Sequence, residues 1–172
     1  MNSLHRLAAI GALSLAASAG CGVNEPLPQG STSAPLSKAR VGSFSGYYHG
    51  NLAITFCSAK KNGQLTFQGE GHATHLHGSS ESGALTGVQS GSICFWSGMA
   101  TLTSRQNPGD SITFSLQMAG KGRRQNPCTA IMGYGVKSGT GRFANASGRG
   151  DLTITCTKYK TYTDGWSGRL KL

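Results

Sequence analysis

Ser111-Ile112-Thr113-Phe114-Ser115-Leu116-Gln117-Met118 alternates polar and apolar residues without a break. Successive side chains of an extended chain point to opposite faces, so Ile112, Phe114, Leu116 and Met118 share one side. Such a segment is a half-buried antiparallel strand. The same period recurs at Leu52, Ile54 and Phe56, at Leu152, Ile154 and Cys156, and at Trp166, Leu170 and Leu172. Turn-forming clusters separate the runs: Lys61-Asn62-Gly63, Asn107-Pro108-Gly109-Asp110, Asn126-Pro127 and Asp164-Gly165. These patterns predict strands near 43–57, 64–76, 84–90, 93–104, 111–118, 128–136, 150–158 and 165–172. Eight short strands joined mostly by hairpins close into an all-β, antiparallel up-and-down β-barrel, which leaves no unpaired edge. A two-sheet β-sandwich satisfies the same alternation.

Composition points the same way. Glycine supplies 26 of 172 residues without a triplet period, which excludes collagen and disfavours a helix bundle, since glycine is costly inside helices. Only 13% of residues are charged, too few for most disordered chains.

Residues 1–20 read as a signal peptide rather than part of the fold. Arg6 supplies a positive start, and the apolar run Leu7–Ala17 is too short to span a bilayer, which takes about 20 residues. Ser18-Ala19-Gly20-Cys21 resembles the lipobox of bacterial lipoprotein precursors, with Ser18 where that family usually has Leu. The resemblance implies that Cys21 is the lipidated first residue of the mature chain, carrying palmitate-type acyl groups. It also implies a lipid-anchored protein exported to the bacterial cell envelope. Gly22 stands where Asp commonly marks inner-membrane retention in Gram-negative lipoproteins, which leans the expectation to the outer membrane. Ordinary cleavage after Ala19, leaving Cys21 a free thiol, is the alternative. Residues 21–40, with Pro26, Pro28 and Pro35 among Ser, Thr and Gly, read as a flexible tether. The barrel domain is then 41–172, about 132 residues, enough for one real core.

With Cys21 set aside as the anchor, Cys57, Cys94, Cys128 and Cys156 remain, an even number suited to two disulfides in an oxidising compartment. In an eight-strand meander all four fall at one end. Cys128 and Cys156 lie on consecutive strands and share the alternation parity of the core, which predicts Cys128–Cys156 and leaves Cys57–Cys94.

Ser138-Gly139-Thr140-Gly141-Arg142-Phe143-Ala144-Asn145-Ala146-Ser147-Gly148-Arg149-Gly150 resembles the GTGxFxxAxGxG signature of small exported barrels akin to allene oxide cyclase and dirigent proteins. Gly71–Leu76 and Pro108–Phe114 fit similar chains. The resemblance implies a barrel, with the glycine-rich run closing between strands and Phe143 plugging the adjacent end. It implies fold far more than activity, since one barrel hosts unrelated functions.

Charge is lopsided. Lys and Arg number 16 against 6 Asp and Glu, and loss of Arg6 with the signal takes the formal charge from +10 to +9. Lys60, Lys61, Lys121, Arg123, Arg124, Lys158 and Lys160 all fall on connections at the cysteine-bearing end. A basic rim of this kind attracts anionic partners such as lipid headgroups or acidic glycans. A generally basic, soluble surface without a dedicated partner is the plainer reading. No nucleic-acid motif is present, so nucleic acid is not an expected partner.

For metal, His75 and His77 are the candidates, i and i+2 on an extended chain and expected on the interior side with Leu65, Phe67 and Ala73. A site would need a third ligand, for which His49 and Glu70 are the only nearby candidates and Glu70 has the opposite parity, so no metal or other cofactor is expected. Of the acids, Glu81 is expected in a loop, Asp110 and Asp164 in turns, Asp151 at a strand start and Glu70 on the outside. On that placement no carboxylate pair forms and catalysis is unsupported. Two functions follow. The first is a non-catalytic envelope lipoprotein that contacts anionic envelope components through the basic end. The second is a barrel that carries or converts a small apolar ligand behind a wall of Phe56, Phe114, Met118, Tyr134 and Trp166.

Overall fold

The computed structural model describes residues 40–91, 93–118 and 129–172. These form a closed antiparallel barrel of eight strands in sequence order. The strands are β1 (Val41–Thr55), β2 (Gly63–Ala73), β3 (His77–Ser90), β4 (Ile93–Ser104), β5 (Ser111–Met118), β6 (Thr129–Thr140), β7 (Ser147–Thr157) and β8 (Thr161–Lys171). Closure comes from β1 pairing β8 in an unbroken register from Val41↔Lys171 to Asn51↔Thr161. The sandwich alternative is thereby excluded.

Alternation decides the inside. Phe44, Tyr48 and Leu52 of β1, Ile112, Phe114 and Leu116 of β5, and Tyr162, Trp166 and Leu170 of β8 all point inward and are buried. Phe44, Phe114, Tyr134 and Trp166 form one interlocked aromatic group with ring centroids 4.7–6.5 Å apart. A barrel this small fits such rings only where neighbouring inward positions are empty. A Cβ at Gly83 would collide with the Phe67 ring, and one at Gly168 with the Tyr134 hydroxyl.

One end carries the β2–β3, β4–β5 and β6–β7 connections and is latched by the glycine-rich run. A 3₁₀ turn, Gly141–Phe143, tucks Phe143 into the core with no exposed surface, as the plug expectation required. Arg142 secures it: its Nε lies 2.9 Å from Asp110 Oδ2, its backbone N–H donates to Asp110 Oδ1 at 3.1 Å, and its Nη2 donates to His75 O at 2.6 Å.

The opposite end carries the β1–β2, β3–β4, β5–β6 and β7–β8 connections. Cys57 and Cys94 are joined there, with Cα atoms 6.2 Å apart. Cys128 lies outside the described residues, and with it the expected Cys128–Cys156 pair.

Three placements correct the sequence reading. β3 begins at His77, seven residues before the predicted start, so Glu81 is a strand residue and not in a loop. β8 begins at Thr161, so Asp164-Gly165 is not a turn but part of the ladder, paired with Tyr48 and Tyr47. Phe56 lies beyond the end of β1, where alternation no longer applies, and is exposed rather than part of an interior wall.

The Cys57–Cys94 bond closes a 37-residue separation, for which chain-entropy arguments give about 4 kcal/mol at most. Replacing both cysteines with alanine is expected to lower unfolding free energy by about 2–4 kcal/mol in non-reducing denaturant titrations. A non-reducing peptide map is expected to show the Cys57 and Cys94 peptides linked.

Candidate functional site

The interior holds a polar cluster absent from the sequence reading. Ser79 and Glu81 follow the inward parity of Leu85 on β3, and Tyr162 and Asp164 follow that of Trp166 on β8. Glu81 is 2% exposed and Asp164 3%. Across the barrel, Tyr162 Oη donates to Glu81 Oε2 at 2.7 Å and Trp166 Nε1 donates to Glu81 Oε1 at 3.1 Å. Ser79 Oγ donates to His77 O at 3.2 Å, which leaves the Tyr48 hydroxyl donating to Ser79 at 2.6 Å. Glycines make the room: a Cβ at Gly69 would strike the Tyr162 hydroxyl, and one at Gly71 the Tyr48 ring.

Neither carboxylate oxygen of Asp164 meets hydrogen-bond geometry with any described group. At looser range the Glu81 carboxyl acts on it through both charge and hydrogen bonding, and the Tyr48 backbone N–H and the Trp166 indole also face it. Burial pushes both up; Asp164, facing the charge of Glu81 as well, is raised to about 10. Burial likewise raises the Tyr48 and Tyr162 hydroxyls. Two carboxyls this close in a dry interior do not both ionise. The Tyr162 and Trp166 hydrogen bonds favour the charge on Glu81, and burial beside that charge favours the proton on Asp164. The expectation that no carboxylate pair forms is therefore corrected. Extending the parity of Leu85 back to Glu81, and of Trp166 back to Asp164, is the signal that finds the pair.

Among the described residues the aromatic core is filled. Phe44, Phe114, Met132 and Trp166 each keep at most 2% of their surface accessible, which leaves no water-sized space beside them. Of the expected wall residues, Phe114, Tyr134 and Trp166 do face inward and Met118 packs half-buried against the core, but together they fill the space. The grooves found are open and lie on the outer wall. One, about 750 Å³, runs over β5–β8 between Gln117, Asp151, Arg149 and Arg169.

His75 and His77 do not share the interior. Both adopt positive φ, 71° and 54°, in the tight β2–β3 connection; this swings His77 outward and gives the inward place to Leu76, which is fully buried. His77 stacks edge-on with His72, ring centroids 6.0 Å apart, and no metal-holding group of three or more ligand side chains occurs among the described residues.

The basic end is built from two tight turns. Ser58 and Lys61 exchange backbone hydrogen bonds of 2.8 and 3.1 Å, presenting Lys60 at the tip. Thr157–Lys160 closes with Lys160 N–H donating to Thr157 O at 3.2 Å, and Lys158 and Tyr159 both sit at positive φ, 50° and 56°. Hairpins of this hand favour Asn-Gly, and a left-handed conformation costs a bulky residue about 1–2 kcal/mol. Lys60, Lys61, Lys158 and Lys160 are all exposed. Lys121, Arg123 and Arg124, on the chain joining β5 to β6, lie outside the described residues, as does Cys21. None of the four connections at this end contains an Asp or Glu. The ion pairs found lie on the other half of the barrel: Arg142–Asp110 at the latch and Arg105–Glu70.

No family model matches the chain, and no curated protein does. Among solved structures it is similar to the pterocarpan synthase dirigent protein GePTS1, with a TM-score of 0.52 and 11% identity over 83% of this chain and 96% of that one. A second such protein, the pterocarpan synthase dirigent protein PsPTS1, gives 0.49 and 11% over 77% and 95%. The likeness is one of fold. It agrees with the barrel implied by the Gly139–Gly150 run and carries no substrate with it.

The acid pair sets a pH dependence. Unfolded Asp releases its proton near pH 4, whereas folded Asp164 holds it to about 10. Across that window the folded state binds more protons at this site, so the stability that Asp164 contributes is full below about pH 4 and is lost as pH rises, with Glu81 acting in the same direction. Asp164→Asn is expected to flatten the fall in urea midpoint between about pH 5 and pH 9. An unchanged or steeper slope would mean that Asp164 is ionised in the fold.

Proposed function

We propose that this protein is an exported, lipid-anchored barrel of the bacterial envelope that works from its surface, contacting anionic envelope components through its basic end without catalysis. The observation that carries the reading is the charge layout. One end of the barrel presents exposed lysines on two fixed turns with no acid in any of its connections, whereas Arg105 and Arg142 on the other half are paired with Glu70 and Asp110. The filled aromatic core of the described residues supports it, because packed inward positions leave the outer surface to meet a partner. The Cys57–Cys94 bond is compatible with export. The lipobox-like Ser18–Cys21 run supports acylation at Cys21, and Gly22 supports the outer membrane if the cell has one.

The test uses the mature chain with Cys21→Ser, so that no acyl group contributes to binding. Its retention on immobilised lipopolysaccharide and on phosphatidylglycerol is expected to weaken steeply with salt. Changing Lys60, Lys61, Lys158 and Lys160 together to Gln is expected to lower affinity roughly tenfold or more. Retention equal to that of the parent would remove the basic end from the function. Intact mass of the protein taken from its own envelope is expected to show acyl chains on Cys21; an unacylated mass would remove the anchor.

One observation favours a second reading, a barrel that takes a small ligand inside: Asp164 is buried with neither carboxyl oxygen in good hydrogen-bond geometry, in a fold similar to a pterocarpan synthase dirigent protein. A hydrogen-bond-donating ligand would satisfy that carboxyl if the barrel opened to admit it. Native mass spectrometry of protein purified from its source is expected, on this reading, to show a retained small molecule that Asp164→Asn releases. A bare protein mass would count against it.

A further inference from the structure

The basic end carries a second feature that charge alone does not explain. Phe56, Val88, Phe95, Ile131 and Tyr159 are each about half exposed, and all lie at or within a few residues of this end. They belong to different strands. Phe56 follows β1, Val88 and Phe95 are a cross-strand pair near the end of β3 and the start of β4, Ile131 is near the start of β6, and Tyr159 sits between β7 and β8. The barrel thus wears a broken ring of outward apolar side chains beside its lysine-bearing turns. Phe56 and Tyr159 meet edge to face, ring centroids 5.5 Å apart and planes at 90°, because β1 lies between β2 and β8. Tyr159 is held there in a conformation that Asn or Gly would adopt more easily.

From this juxtaposition we infer that the basic end seats on an anionic lipid bilayer, its lysines among the headgroups and its apolar ring at the boundary with the acyl chains. The inference rests on the proposed function and narrows its partner to a membrane surface. Aromatic residues with a polar tip favour the membrane interface, and lysines beside them add attraction to anionic lipid. Surface binding that combines buried apolar area with charge is the mode of interfacial proteins. An acidic polysaccharide would need the lysines but not Val88, Phe95 and Ile131. Charge complementarity suits an anionic surface, since no connection at this end holds an Asp or Glu to repel it, and the exposed apolar ring selects the lipid.

The experiment is co-sedimentation of the mature Cys21→Ser chain with vesicles of phosphatidylcholine alone or mixed with phosphatidylglycerol, at low and high salt. Two variants accompany it: the four-lysine Gln variant, and Phe56→Ser with Phe95→Ser and Tyr159→Asn. Asn suits the positive φ at Tyr159, and circular dichroism and thermal midpoint verify folding of both. The parent is expected to bind the anionic vesicles, and to keep a measurable fraction bound at high salt. The lysine variant is expected to lose roughly tenfold at low salt. The apolar variant is expected to bind at low salt but to fall to background at high salt. If the apolar variant matches the parent at both salts, insertion is overturned while the basic-end function stands. If the lysine variant matches the parent, both fall. Should the parent ignore vesicles yet bind a soluble acidic polysaccharide, the membrane inference is overturned in favour of a glycan.

Discussion

Closure of β1 on β8 is the constraint from which the rest follows. Once Val41–Asn51 pairs with Thr161–Lys171, the wall is a continuous surface, and half of every strand faces an interior of fixed volume. Eight strands enclose just enough space for side chains, so each large ring must be matched by an absent one. Trp96 shows the accounting: Gly63 and Gly87 flank it, and a Cβ at either would press into the indole. Tyr134 reaches across β7 and β8 because Gly150 and Gly168 leave its hydroxyl a place. The glycine content is thus largely a packing solution, in which thin wall positions admit long side chains from opposite strands.

That solution also creates the acid pair. Tyr48, Tyr162 and Trp166 bring polar atoms to the barrel interior, where each needs a partner, because a buried donor left unmade costs about 1–3 kcal/mol. Glu81 satisfies two of them at once, and Ser79 takes the third. Glu81 is intelligible as the acceptor that lets two aromatic donors lie inside. Asp164 has no such account: neither of its oxygens reaches good hydrogen-bond geometry, and burial and Glu81 push its carboxyl up. A group that destabilises the fold at neutral pH and serves no evident packing role is the interior feature that most invites a functional explanation.

Alternation made most of the barrel legible, and it failed where inward positions were not apolar. The first half of β3 turns Ser79, Glu81 and Gly83 inward, a run with no hydrophobic signal, so the strand was expected only from residue 84. On β8 the Asp164-Gly165 pair has the chemistry of a turn, and the register with Tyr47 and Tyr48 overrides that local preference. His77 failed for the opposite reason: extrapolated parity sends it inside, whereas a positive φ at the strand end turns it out. The placement of Cys57, Cys94 and the Lys60–Lys61 and Lys158–Lys160 turns at one end was legible because it depends only on strand count and direction, which a meander fixes. The Cys57–Cys94 pairing, by contrast, is what remains once parity joins Cys128 to Cys156.

The two ends close by different physics, and the difference bears on which one is free to work. At the latch end, aromatic and aliphatic side chains turn inward: Phe143 and Leu76 are fully buried, and Arg142 is spent on Asp110 and His75. At the disulfide end, Phe56 and Tyr159 turn outward, and the inside is filled by Trp96 beside a covalent link. A disulfide stabilises mainly by restricting the unfolded chain, so it holds an end together without drawing on its exposed side chains. Cross-linking there releases aromatic and basic residues from structural duty. Their exposure, and the left-handed backbone that presents Lys158 and Tyr159, is therefore a departure from the best-packed arrangement rather than a requirement of the barrel.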